Sequence, residues 1–314
     1  MERGLCKVLI AVDGSEQTQK LVDYLSGIIS VQQTELVLFH VMPKAPESFR
    51  DWEREPSSLP NSDLLRKWDS ERERLVRDLM RDIRRQLTGI GIPEYSIMIS
   101  IQKEKEGIAR DLLLEAQRGG YDAILVGRSG FEGAGAQVLG SIAAKTAAKL
   151  CTVNLWLVGD NAGSGGVIIA MDSSETAMRA VDHVSKMINA SKTAIRLVHV
   201  VRGITVSWTG KEKIFPEEYR QRLIEEAENQ IIPAFDAAIR ILVSSGIERE
   251  KISTKVISGV TSRAGAIFEE ALREGYGTVV VGRKGLSNVA EFDMGRVTGK
   301  LIQLAGGIAL WVVA

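Results

Sequence analysis

Short apolar runs alternate along this chain with longer stretches of helical periodicity. In the first half the runs fall at 7–12, 36–41, 95–102, 123–126 and 154–158, and segments at about 15–30, 62–89, 107–118 and 141–150 read as helices between them. The strand runs are apolar at successive positions rather than at every second one, the pattern of strands covered on both faces. Strand–helix alternation of this kind predicts an α/β fold, and right-handed crossovers make it a doubly wound parallel sheet with helices on both sides.

The second half repeats the pattern, with strand runs at about 167–171, 194–201, 252–257, 278–281 and 308–313. The residues repeat as well. Lys7-Val-Leu-Ile-Ala-Val-Asp13-Gly-Ser15-Glu matches Gly166-Val-Ile-Ile-Ala-Met-Asp172-Ser-Ser174-Glu, and the strand ending His40-Val41 matches the one ending His199-Val200. Leu155-Trp156-Leu-Val158 matches Leu310-Trp311-Val-Val313, and 159–166 has the composition of a linker. With 314 residues the chain suits two domains. The expected units are 1–160 and 166–314.

The motif most telling of chemistry is also doubled. Gly127-Arg-Ser-Gly130 is followed after nine residues by Gly140-Ser141, and Gly282-Arg-Lys-Gly285 after nine residues by Gly295-Arg296. Each lies between a strand and a helix, where glycine admits close approach of a ligand and the helix N-terminus aims unpaired N–H groups at phosphate oxygens. Asp13, at the end of the first strand, can accept from a ribose hydroxyl or an adenine amine. Open α/β sheets bind ligands beyond strand carboxyl ends where the winding reverses, so the Asp13 turn and the Gly127 loop are expected to converge there.

The spacing Gly-x2-Gly-x9-Gly-Ser, the Val-Asp-x-Ser turn and the His-Val strand end together resemble the universal stress protein family, in two tandem copies covering the whole chain. The resemblance implies two five-stranded sheets of order 3-2-1-4-5, Rossmann-like, whose fifth strands form a dimer edge, so that a tandem member resembles a fused dimer. It further implies adenine-nucleotide binding at Asp13, Val41, Gly127, Gly130, Gly140 and Ser141, with ATP, ADP or AMP as ligand and Mg or Mn held through the phosphates. The corresponding positions in the second unit are Asp172, Val200, Gly282, Gly285, Gly295 and Arg296. Arg296 stands where the pattern has a hydroxyl, and its guanidinium either fills the phosphate site or pairs with phosphate oxygens. In the first unit Ala143 occupies a place where many ATP binders carry a hydroxyl, and Glu132 adds negative charge near the phosphates.

Composition narrows the remaining classes. Lys and Arg number 40 and so do Asp and Glu, so no net field draws the chain to nucleic acid. No apolar run approaches a membrane span, and the start carries no secretory stretch, which leads to the expectation of a cytoplasmic protein. Cys6 and Cys151 lie outside metal or redox spacings, and no Gly-x4-Gly-Lys-[Ser/Thr] loop exists. Three histidines, His40, His183 and His199, assemble no triad or metal cluster. The charged segment 66–85 places Leu64, Trp68, Leu75, Leu79 and Ile83 at helical spacing and reads as a solvated helix. Pro43, Pro46, Pro56 and Pro60 mark 43–60 as an irregular excursion. The function expected is an adenine-nucleotide-binding stress regulator with little or slow hydrolysis, acting through an unidentified protein partner or a homodimer. The alternative is a nucleotide-free interaction scaffold of the same fold.

Overall fold

The computed structural model describes residues 5–44, 61–128, 139–150, 152–163, 165–203, 217–286 and 293–314. The first unit runs β1 (Cys6–Ala11), α1 (Glu16–Ile28), β2 (Thr34–Met42), α2 (Asn61–Gly89), β3 (Ile97–Lys103), α3 (Ile108–Arg118), β4 (Ala123–Gly127), α4 (Ser141–Lys149) and β5 (Asn154–Val158). The second repeats it as β6 (Val167–Met171), α5 (Glu175–Met187), β7 (Ile195–Arg202), α6 (Glu217–Ser244), β8 (Ile252–Val260), α7 (Arg263–Arg273), β9 (Thr278–Gly282), α8 (Arg296–Leu304) and β10 (Ala309–Val313). The third strand starts at Ile97 rather than 95, because a 3-10 turn at Glu94–Ser96 follows Pro93, whose fixed φ starts it. Of the 43–60 excursion only Pro43 and Lys44 belong to the described residues, and Cys151 and Glu132 lie outside them.

Each unit has the strand order 3-2-1-4-5, all parallel. The two sheets join edge to edge into one of ten strands, because β5 and β10 pair antiparallel with Trp156 opposite Trp311. A pseudo-twofold axis passes through that pair. It relates Ile29 and Ile188, which form an isolated antiparallel bridge, with Ser30 N–H donating to Met187 O and Asn189 N–H to Ile28 O. The Trp rings stack 3.8 Å apart with planes 1° from parallel, and both are fully buried.

Successive strand residues face opposite layers, which accounts for the uninterrupted apolar runs. Val8 and Ile10 pack under α1 and α2, whereas Leu9 packs with α3 and α4, and both layers continue through the second unit. On α2 the buried stripe is Met80, Ile83 and Leu87, flanked by Val76 and Leu79. Leu75, one step off that face, is exposed, so the expected stripe is corrected there. The charges of α2 pair along its outer side, Arg74 with Glu71, Arg77 with Glu73 and Arg85 with Asp82. Among the described residues no helix is long and apolar enough to cross a membrane.

The linker docks on the second unit by glycine-to-glycine approach. A Cβ on Gly277 would stand 2.0 Å from Gly163 O and 2.7 Å from Gly163 C. The Gly277→Ala substitution therefore forces backbone apart, an overpacking that costs about 1–3 kcal/mol. For a chain of this size that corresponds to a Tm lowered by about 2–5 °C. Calorimetry reads it, and an unchanged Tm would mean that the linker yields freely.

Candidate functional site

β1 and β4 are parallel neighbours, Ile10 beside Leu125, so the Asp13 turn and Gly127 leave the same end of the sheet where the winding reverses. The turn is built locally. Gly14 adopts φ +82°, and the Asp13 carboxylate folds back so that Oδ1 accepts from Ser15 N–H at 2.9 Å, Ser15 Oγ at 2.7 Å and Thr18 Oγ1 at 3.3 Å. Ser15 caps α1 in turn, accepting from Gln17 N–H. Oδ2 of Asp13 has no partner among the described residues. His40 stands behind this turn, its Nδ1 2.7 Å from Val12 O. Burial holds its pKa below the ordinary value, and its ring serves as a brace between the ends of β1 and β2.

On the other side, Gly140 is the N-cap of α4 and donates its N–H to Arg128 O at 2.8 Å. The N–H groups of the first turn, Ser141 to Ala143, have no helical acceptor and carry the positive end of the helix dipole. Ser141 is exposed and its hydroxyl adds a further donor, whereas Ala143 is buried against the sheet. Val41 is buried near the end of β2. Gly130 lies outside the described residues. The structure thus brings together Asp13, Gly127, Gly140 and Ser141 around one sheet end.

The second unit carries the same parts in a closed arrangement. Asp172 repeats the turn, with Oδ1 accepting from Ser174 N–H at 3.1 Å and from Ser174 Oγ. Its other oxygen is taken by the glycine loop itself, since Leu286 N–H donates to Oδ2 at 3.2 Å. Gly285 passes so near that a Cβ there would lie 2.6 Å from Asp172 Oδ2. Thr176 Oγ1 donates to Lys284 O, and Thr298, the hydroxyl missing at Ala143, donates to Gly282 O at 2.8 Å. The loop is latched onto the turn it would need to face across a ligand. Arg296 begins α8 behind the N-cap Gly295 and is exposed, forming no ion pair with any described residue. It does not fill the site; the closure comes from Gly285 and Leu286, and Val200 is buried in β7.

Where the second unit has Thr176, the first has Gln17, whose amide donates to Asp160, joined there by Lys20 at 2.8 Å. Sequence reasoning missed this exchange, and it missed Arg128 and Arg283, both buried. Their signal was present in the repeat, because an arginine follows the first glycine in each loop. Among the described residues no group of three or more His, Cys, Asp or Glu is placed to hold a metal.

The fold and site define a class: a doubly wound protein, written twice, with a carboxylate turn and a glycine-capped helix at each switch point. Comparison with known proteins places it more closely. The universal stress protein family model matches residues 6–158 and again 166–306, and the chain belongs to that family as a tandem member. It is 23% identical over 141 residues to universal stress protein YxiE of Bacillus subtilis, 44% of this chain and 92% of that one. A universal stress protein from Archaeoglobus fulgidus aligns over 98% of this chain and 97% of its own, with 17% identity and a TM-score of 0.56. A putative universal stress protein from Pseudomonas aeruginosa aligns over 98% of this chain and 93% of its own, with 14% identity and a TM-score of 0.58. These likenesses establish the shared two-unit fold.

Proposed function

We propose that the first unit binds an adenine nucleotide, with Asp13 at the nucleoside end and the first turn of α4 at the phosphates, and that the second unit serves as a scaffold with its loop latched shut. The observation that carries this reading is the placement of the Asp13 turn and the glycine-capped start of α4 at one sheet end where the winding reverses. In the second unit the corresponding carboxylate is already engaged, because Asp172 Oδ2 accepts from Leu286 N–H. The exposed Ser141 and the dipole end of α4 supply the complementary anion site. Mg²⁺ or Mn²⁺ would be held through the phosphates and water, as such ions are when no protein cage surrounds them.

Binding rather than turnover is the role these groups suit. Asp13 Oδ1 is engaged by its own turn and Oδ2 is the oxygen assigned to the nucleoside, while His40 Nδ1 is held on a backbone carbonyl, so these groups serve to hold a ligand. Occupancy would then act as a signal, read by a protein partner as part of a stress response in the cytoplasm. Equilibrium titration with ATP, ADP and AMP tests the reading. Loss of one charge-assisted hydrogen bond costs about 1.5–3 kcal/mol, so Asp13→Ala should weaken binding about ten- to a hundredfold. Ser141→Ala should weaken it by about threefold to tenfold, and Asp172→Ala should leave it unchanged. If Asp172→Ala weakens binding while Asp13→Ala does not, the nucleotide sits in the second unit and the assignment is reversed.

A further inference from the structure

The two loop arginines leave their own units. The Arg128 guanidinium crosses to the second unit and donates through Nη1 to Ile302 O and through Nη2 to Gln303 O at 3.0 Å, on the last turn of α8. Arg283 makes the reciprocal crossing. Its Nη1 donates to Leu150 O, and its Nη2 to Ala147 O at 3.2 Å and Ala148 O at 3.3 Å, at the end of α4. Carbonyls at a helix C-terminus lack helical partners and carry the negative dipole end, so a guanidinium fork suits them in charge and geometry.

The crossings are unequal. Arg283 also donates through Nε to Asp293 O at 2.8 Å, so one guanidinium grips both α4 and the end of the second loop. Arg128 Nε is buried without a partner among the described residues. Arg283 is thus the better satisfied of the two and the stronger clamp.

We infer that Arg283, a residue of the second unit, is a positioning residue for the nucleotide site of the first. α4 is a rigid rod of nine residues whose N-terminus offers the phosphate-facing N–H groups. That end is tied to Arg128 O through Gly140 N–H. The other end is tied across the pseudo-twofold axis by Arg283. With both ends fixed the N–H groups of Ser141 to Ala143 hold a set direction. With the far end released, the helix keeps its core contacts and the tie at Gly140, and its N-terminus is held less firmly. The closed second unit therefore has a use: its latched loop is the rigid base from which Arg283 reaches. This inference rests on the first-unit nucleotide reading, and its test separates the two.

The experiment uses the full chain. ATP affinity is measured by calorimetric titration, and hydrogen exchange is followed at 141–146 without ligand, for Arg283→Met, Arg283→Lys and Tyr24→Phe. Tyr24 accepts from Trp311 Nε1 at 2.8 Å and bonds Thr278 Oγ1 at 2.8 Å, so its loss loosens the same interface away from α4. Arg283→Met is expected to weaken ATP about tenfold and to speed exchange in the first turn of α4, with Arg283→Lys between it and the parent. Tyr24→Phe is expected to lower Tm without moving either reading. Equal losses in Tyr24→Phe and Arg283→Met would overturn the inference, as would unchanged affinity and exchange in Arg283→Met. If the methionine variant fails to fold, the lysine variant alone decides by the same two readings. If the parent chain takes up no ATP, the nucleotide reading falls, and exchange at 141–146 still judges the clamp.

Discussion

Replacing Trp311 with alanine should lower the unfolding free energy by about 3–5 kcal/mol, the usual cost of emptying a buried aromatic site. It should also split one unfolding transition into two. The joint between the units is narrow, with β5 and β10 sharing the three pairs Leu157 with Leu310, Trp156 with Trp311 and Leu155 with Val312. The indoles fill its centre because directly opposed residues on antiparallel strands bring their side chains together. Their polar edges are satisfied on opposite sides, Trp311 Nε1 by Tyr24 and Trp156 Nε1 by His183 at 3.0 Å. Alanine at 311 removes the stack and the bond to Tyr24 at once. Urea unfolding followed by far-UV circular dichroism and by fluorescence measures both effects. Coincident single transitions with a loss under about 1 kcal/mol would show that the stack does not couple the units.

Acid should weaken the same joint. His183 is buried edge-on against the stacked pair, with its ring 5.7 Å from Trp156 and 5.6 Å from Trp311. Burial lowers its pKa from the ordinary 6.5 to about 3. The geometry acts in the same direction, because the Trp156 indole can only donate, and a protonated Nε2 could no longer accept from it. Since the folded value lies below the unfolded one, the unfolded chain takes the proton first. The contribution of His183 is whole above pH 6.5, declines as pH falls through the window from 6.5 to about 3, and falls no further below that. At about 1.4 kcal/mol per pH unit, roughly 2 kcal/mol is lost by pH 5. Denaturant melts at pH 7 and pH 5 should show this loss. His183→Tyr, which installs the group found at the symmetry-related Tyr24, should remove most of it. A residual slope from His40, also lowered by burial, is expected to remain. An undiminished slope in His183→Tyr would place the acid sensitivity elsewhere.

Much of the fold was readable along the chain for a simple reason. Strands buried on both faces must be apolar throughout, and runs such as Leu36 to Val41 and Val279 to Val281 have no other economical placement. Helix starts were equally local, as Ser15 and Ser174 cap the helices that follow them through their own hydroxyls. The Leu75 error on α2 came from the same logic, since at helical spacing two neighbouring stripes score alike until a sheet is present to choose one.

The candidate site divides along the same line. Asp13, Gly127, Gly140 and Ser141 were legible because each owes its role to its own backbone setting, a strand end, a tight approach or a helix N-terminus. Whether the second copy is open was not legible. Arg296 drew attention as the departure from the pattern, but the closure depends on Leu286 N–H meeting Asp172 and on Thr176 meeting Lys284 O, more than a hundred residues apart in the chain.

By itself, then, the sequence determined the duplicated α/β units, the strand-end aspartates, the glycine-led helices and the equivalence of the two tryptophans. These follow from local periodicity and from repetition, which a linear text carries in full. Tertiary structure alone decided that the ten strands form one sheet, that the Gly282 loop is latched onto the Asp172 turn, and that Arg128 and Arg283 cap helices in each other's unit. Each of these depends on where a side chain of one unit meets backbone from a distant segment, and such distances are set only when the core has packed.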